Sequence, residues 1–230
     1  MNNRTSSIAV PLYGACLLAL WPLVAHGQNP APPSASLSDF QSWNEVDVSA
    51  RLAHYLDATW VSQGRFSSQY PNPATYLSGL DLKFNIGTNL VFTPSYYYVA
   101  FKRPDGRSGH FQVPMFTATL QKSWERWTFS DRNRILDAIG VGTHFWVYMN
   151  RPRLDYRVGP TNWGTSVYLS DEPSYFWTFH GWTRNRFSIG GRKAINKYCA
   201  ADLYYLRQDD SRLQPRDINL LGFTLELRVR

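Results

Sequence analysis

Residues Trp182 to Arg192, WTRNRFSIGGR, decide how this chain folds. Counting by twos separates them. Arg184, Arg186, Ser188, Gly190 and Arg192 fall on even positions, with Asn185, Phe187 and Ile189 between them. A period of two is that of a β-strand, in which alternate side chains point to opposite faces. The question is which face holds the arginines.

The same parity recurs upstream. Arg132 and Arg134 share one face, and Arg151, Arg153 and Arg157 share another. Carboxylates sit on comparable faces at Glu45, Asp47, Asp81, Asp155, Asp202 and Glu226. The last stretch alternates most cleanly: Leu221, Phe223, Leu225, Leu227 and Val229 against Gly222, Thr224, Glu226 and Arg228. Eleven strand candidates follow one another, near 40–52, 57–67, 76–87, 90–102, 111–124, 127–137, 143–157, 165–172, 181–193, 197–208 and 217–229. Many exceed the mean soluble strand of about 5–6 residues and match the roughly 9–11 that a tilted strand needs to cross a bilayer.

Several features place the apolar face outward, toward lipid. The chain of 230 residues carries 16% aromatics at a mean hydropathy of only −0.37, as expected where apolar and polar residues alternate. Arg4, the apolar run Ile8 to Ala25 and the small residues before Gln28 read as a cleavable signal peptide over residues 1–27. The Pro/Ala/Ser-rich residues 28–38 read as a flexible leader, and residues 39–230 as one barrel domain. Turns near 87–89, 124–126 and 194–197 are tight, and those near 68–75, 103–110, 173–180 and 209–216 are longer and polar. That asymmetry is the habit of outer-membrane barrels. Tyr96 to Tyr98, Trp124, Trp127, Phe145, Trp146 and Tyr175 to Trp177 fit interfacial girdles. An all-β, antiparallel transmembrane barrel of about 10–12 strands is expected. Single-chain bacterial barrels have even counts, so the eleven candidates are expected to resolve to ten or twelve.

The mature chain resembles the bacterial proteins grouped as domain of unknown function 2490. The likeness rests on DFQSWNEVDVSARL from Asp39, RNR at Arg132 to Arg134, YLSDEPSYFW from Tyr168, NRFSIGGR from Asn185, DLYYLRQ from Asp202 and NLLGFTLELRV from Asn219. The resemblance implies a β-barrel in the bacterial outer membrane and implies no particular activity.

An arginine facing lipid near the bilayer midplane costs about 2–4 kcal/mol. The lumen-lining set is therefore expected to be Arg132, Arg134, Arg151, Arg153, Arg157, Arg184, Arg186 and Arg192, with Glu45, Asp47, Asp81, Asp202 and Glu226. Of Asp171 and Glu172, adjacent on a strand, only one can face inward; Glu172 near a rim, paired with an arginine, competes with a loop-capping role.

Without residues 1–27 there remain 23 basic and 17 acidic residues, a surplus of +6. If a pore exists, this favours anions. Nucleic acid is not an expected partner, because the export signal removes the chain from the cytosol. Expected partners are outer-membrane lipid, the outer-membrane assembly machinery and small anionic solutes or lipids.

His54, His110, His144 and His180 lack metal-ligand spacing and a serine partner in a hydrolase pattern. No catalytic residue, metal or cofactor is expected. A lipid-modifying outer-membrane enzyme and a soluble periplasmic barrel or sandwich are the competing readings. Cys199, the one thiol beyond the signal, reads as a packing residue.

Overall fold

The computed structural model describes residues 38–69, 72–102, 106–140, 142–160 and 164–229. The expected signal peptide and almost all of the leader lie outside them. The strands are β1 (Ser38–Ala53), β2 (Leu56–Ser67), β3 (Thr75–Ile86), β4 (Leu90–Lys102), β5 (Ser108–Trp124), β6 (Trp127–Gly140), β7 (Thr143–Val158), β8 (Thr165–Asp171), β9 (Ser174–Phe176), β10 (Gly181–Asn196), β11 (Cys199–Asp210) and β12 (Asp217–Val229). Each neighbour pair is antiparallel except β1 with β12, which closes the sheet into a barrel.

β8 and β9 are halves of one stave. Both pair with β7 and β10, and Phe187↔Asp171 and Arg184↔Ser174 preserve one register across the gap. Pro173, which has no N–H to donate, marks the interruption. The barrel therefore has eleven staves.

This corrects the expected even count. With eleven staves the first and last run the same way. They pair in parallel over thirteen positions, from Ser38↔Asp217 to Ala50↔Val229. Residue 38 then lies at one rim and residue 229 at the other. The hairpins at 54–55, 87–89, 125–126 and 197–198 sit at the rim of residue 229. The β2–β3, β4–β5, β9–β10 and β11–β12 connections leave from strand ends at the opposite rim, the loop rim. Two connections depart from the expected asymmetry: only two residues separate Gly140 from Thr143 at the loop rim, and six separate Val158 from Thr165 at the hairpin rim.

The direction of the faces rules out a sandwich. Phe187 and Ile189 are 46% and 54% exposed, while Ser188 between them is 8% exposed. Leu220 is fully buried and Leu221 is 50% exposed. A soluble sandwich buries its apolar face; here large apolar side chains stand outside and polar ones line the interior. Tyr55, Trp124, Trp127 and Phe129 project near the hairpin rim, and Phe40, Tyr76, Trp146, Trp177 and Trp182 near the loop rim. Tyr97, Phe145 and Phe176, expected in those girdles, point into the lumen instead, because they hold inward parity on their strands.

The outer face carries a cluster of paired polar groups on β6, β7, β8 and β10. Tyr148 donates its hydroxyl to Asn133 at 2.5 Å, Asn150 donates to Asp131 at 2.7 Å, and Asn185 donates to Asp171 at 2.8 Å. Internal pairing satisfies these groups without solvent. In the closing strand, a Cβ on Gly222 would collide with the ring of Tyr204. Glycine is required there so that the Tyr204 ring of β11 can lie over β12.

Candidate functional site

The interior is layered, and the strand register fixes the layers. Across β5–β9 one inward rung reads Met115, Leu136, Val147 and Phe176. The next rung toward the hairpin rim holds Thr117, Arg134, Met149 and Ser174, and continues through Arg184 to Asp210. The rung below it holds Thr119, Arg132 and Arg151. Glu172 and Arg186 exchange backbone hydrogen bonds at 2.8 and 3.1 Å and extend that rung. The loop side of the lumen is thus apolar on these staves, and an arginine belt lies beneath it. One cavity of about 690 Å³ runs through both.

Glu172 is the pivot of the belt. One carboxylate oxygen accepts from Nη2 of Arg132; the other accepts from Nη1 of Arg186 at 3.2 Å. Arg151 and Arg134 are the next positive charges around it. Four guanidinium groups thus surround one carboxylate. Arg134 donates Nε to Thr117 Oγ1 at 3.1 Å, and Arg186 donates Nε to Gln208 Oε1 at 2.8 Å. The Nε atoms of Arg132 and Arg151 are buried with no hydrogen-bond partner among the described residues. Glu172 lies mid-stave, not at a rim, and neighbouring Asp171 bonds to Asn185 on the outer face.

Around the belt, several other arginines are committed to partners. Arg184 donates to Asp210 at 2.8 Å, and the Asp210 side chain is wholly buried. Arg153 makes a two-pronged pair with Asp155, at 2.9 and 2.7 Å, and its guanidinium lies 3.5 Å from the Tyr168 ring centroid. Arg192 grips Glu226 through two bonds at 2.9 and 2.5 Å. Arg65 lies 3.8 Å over the Trp43 ring.

Arg132, Arg134, Arg151, Arg153, Arg184, Arg186, Glu45, Asp47, Asp81, Asp202 and Glu226 all line the main cavity. Arg157 and Arg192 line a second cavity of about 480 Å³ at the hairpin rim, which shares Arg151 and Arg153 with the first. Three of the lumen carboxylates accept from neutral side chains. Glu45 accepts from Gln63 at 2.6 Å, Asp81 from Tyr97 at 3.0 Å, and Asp202 from Tyr168 at 3.0 Å. One oxygen of Asp47 is buried without a partner among the described residues.

Arg65 and Asp210 escape the sequence reading, while Lys83 shares the polar face of Asp81 but is absent from the expected lumen set. The inward face of β2 (Thr59, Val61, Gln63, Arg65) is more polar than its outward face (Trp60, Ser62, Gly64, Phe66), so the parity that places Arg65 inward is present in the sequence. Asp210 falls in a stretch that reads as loop, but β11 runs through it.

A family model described as protein of unknown function (DUF2490) matches residues 40–219. The chain belongs to this family. Among curated proteins none matches it. The span matched to DUF2490 runs from β1 into β12 and contains Glu172 and every arginine of the belt. DUF2490 membership gives the chain a family but no chemistry, so function has to be argued from the lumen.

Proposed function

We propose that this protein is an outer-membrane β-barrel whose arginine belt binds or passes small anionic solutes or lipids, without bond-making chemistry. The observation that carries the reading is the imbalance at Glu172, where four arginines share one carboxylate. Desolvated like charges repel strongly, and burying a guanidinium without a partner costs several kcal/mol. An anion entering the belt supplies the missing countercharge. The outward apolar face supports the membrane location, since a water-soluble barrel would not place Leu203, Leu221 and Ile189 outside at half exposure or more. The histidines lie away from the belt. His54 is in a hairpin turn, His110 and His144 are exposed on strands, and His180 is at the loop rim. That placement favours binding over general acid–base catalysis.

Two measurements on the intact protein test this reading. Outer-membrane fractionation with heat-modifiable gel mobility is expected for the folded barrel; recovery in the soluble periplasm contradicts the location. In planar bilayers under a salt gradient, any conductance should favour anions, and Arg184→Gln with Arg186→Gln should lower that preference. Cation selectivity of the unsubstituted protein contradicts the anion reading.

A further inference from the structure

The lumen has an apolar compartment that an inorganic anion would not use. Leu136↔Val147 stands one rung above Arg134↔Met149, which stands one rung above Arg132↔Arg151. Successive inward side chains on a strand lie about 6.5–7 Å apart along it. Apolar side chains therefore begin within a few methylene lengths of the belt. Met115, Leu136, Phe145 and Val147 line the same continuous cavity as the arginines. The cavity's about 690 Å³ lies in the size range of small-molecule pockets, roughly 300–1,000 Å³.

The belt offers donors at the boundary between the two compartments. Arg134 and Arg151 make no ion pair among the described residues, and the Nε of Arg151 has no hydrogen-bond partner there. An apolar wall above guanidinium groups that make no ion pair would oppose a hydrated inorganic anion, since apolar constrictions shed water. It would favour a molecule with a charged head and a hydrocarbon tail.

We propose that the lumen binds a single-chain amphipathic anion. Its carboxylate or phosphate head lies on Arg134 and Arg151, and its acyl chain lies in the apolar compartment lined by Met115, Leu136, Phe145 and Val147. This deepens the anion reading above and rests on it.

The test uses the full mature chain in nanodiscs of uncharged phosphatidylcholine, with protein-free discs subtracted. Binding of decanoate, octanoate, hexanoate, decyl phosphate, acetate and inorganic phosphate is measured by equilibrium dialysis. Decanoate or decyl phosphate should bind saturably at one per chain, and their relative affinity identifies the head group. Affinity should rise with chain length, up to roughly fourfold per methylene. Arg134→Gln with Arg151→Gln should weaken decanoate at least tenfold. Val147→Trp, which fills the apolar compartment, should weaken decanoate and leave acetate unchanged. The chain-length series on the unsubstituted protein needs no variant, and heat-modifiable mobility verifies that each variant is folded. If acetate and inorganic phosphate bind as tightly as the ten-carbon ligands, the amphipathic site is wrong and the anion reading stands. If no anion of either kind binds, both fall.

Discussion

At the scale of single residues, burial decides which charge matters. Glu172 and Glu226 both pair with arginine, yet their side chains are 7% and 36% exposed. Removing one partner from a buried pair costs about 3–5 kcal/mol, whereas an exposed pair contributes about 0–1 kcal/mol. Glu172→Gln should therefore destabilise the folded barrel by about 3 kcal/mol or more. Glu226→Gln should cost about 1 kcal/mol or less. Urea unfolding from lipid vesicles measures both, and equal losses would mean that Glu172 does not neutralise the belt. Much of this was legible in the sequence, because the parity of Arg184 and Arg186 follows from counting by twos. Which carboxylate each arginine meets was not legible, because pairing depends on register between strands far apart in the chain. Arg192 meets Glu226 across the intervening β11, thirty-four residues away.

At the scale of elements, the seam is where reading by pattern alone went astray. The eleven strand candidates correspond to the eleven staves, but the even-count rule argued against them. Nothing in local alternation states whether the first and last strands meet in parallel or antiparallel fashion; that follows only from the whole count. A parallel pair is slightly weaker per residue than an antiparallel one, and here the seam runs over a long register from Ser38↔Asp217 to Ala50↔Val229. The seam predicts a specific cross-link. In a Cys199→Ser background, Asn44→Cys with Phe223→Cys places two thiols on paired positions of neighbouring strands, and these are expected to oxidise to an intrachain disulfide. Asn44→Cys with Leu227→Cys is offset by four residues and should not. The reverse pattern on a non-reducing gel would contradict the parallel closure. Pro173 is the complementary case: it splits the assigned strand into β8 and β9, but the register passes through it unchanged.

At the scale of the molecule, three properties belong together: an outward apolar face, a layered lumen and an arginine surplus at its middle. The aromatic load with low mean hydropathy pointed to the first. The second was hidden, because inward apolar residues such as Val147 and Phe176 look the same in sequence as outward-facing ones; only their parity against neighbouring strands distinguishes them. The third depends on the first, since arginines are confined to the lumen only if the opposite face meets lipid. The most direct test of that inside–outside assignment is a spin-label scan of residues 184–192, one cysteine at a time in the Cys199→Ser background, with the barrel reconstituted in a lipid bilayer. Oxygen, which concentrates in lipid, should relax labels at 185, 187 and 189 most strongly, and labels at 184, 186, 188 and 190 should be shielded from it. Strong oxygen relaxation at the even positions, or no alternation along the stretch, would contradict the account.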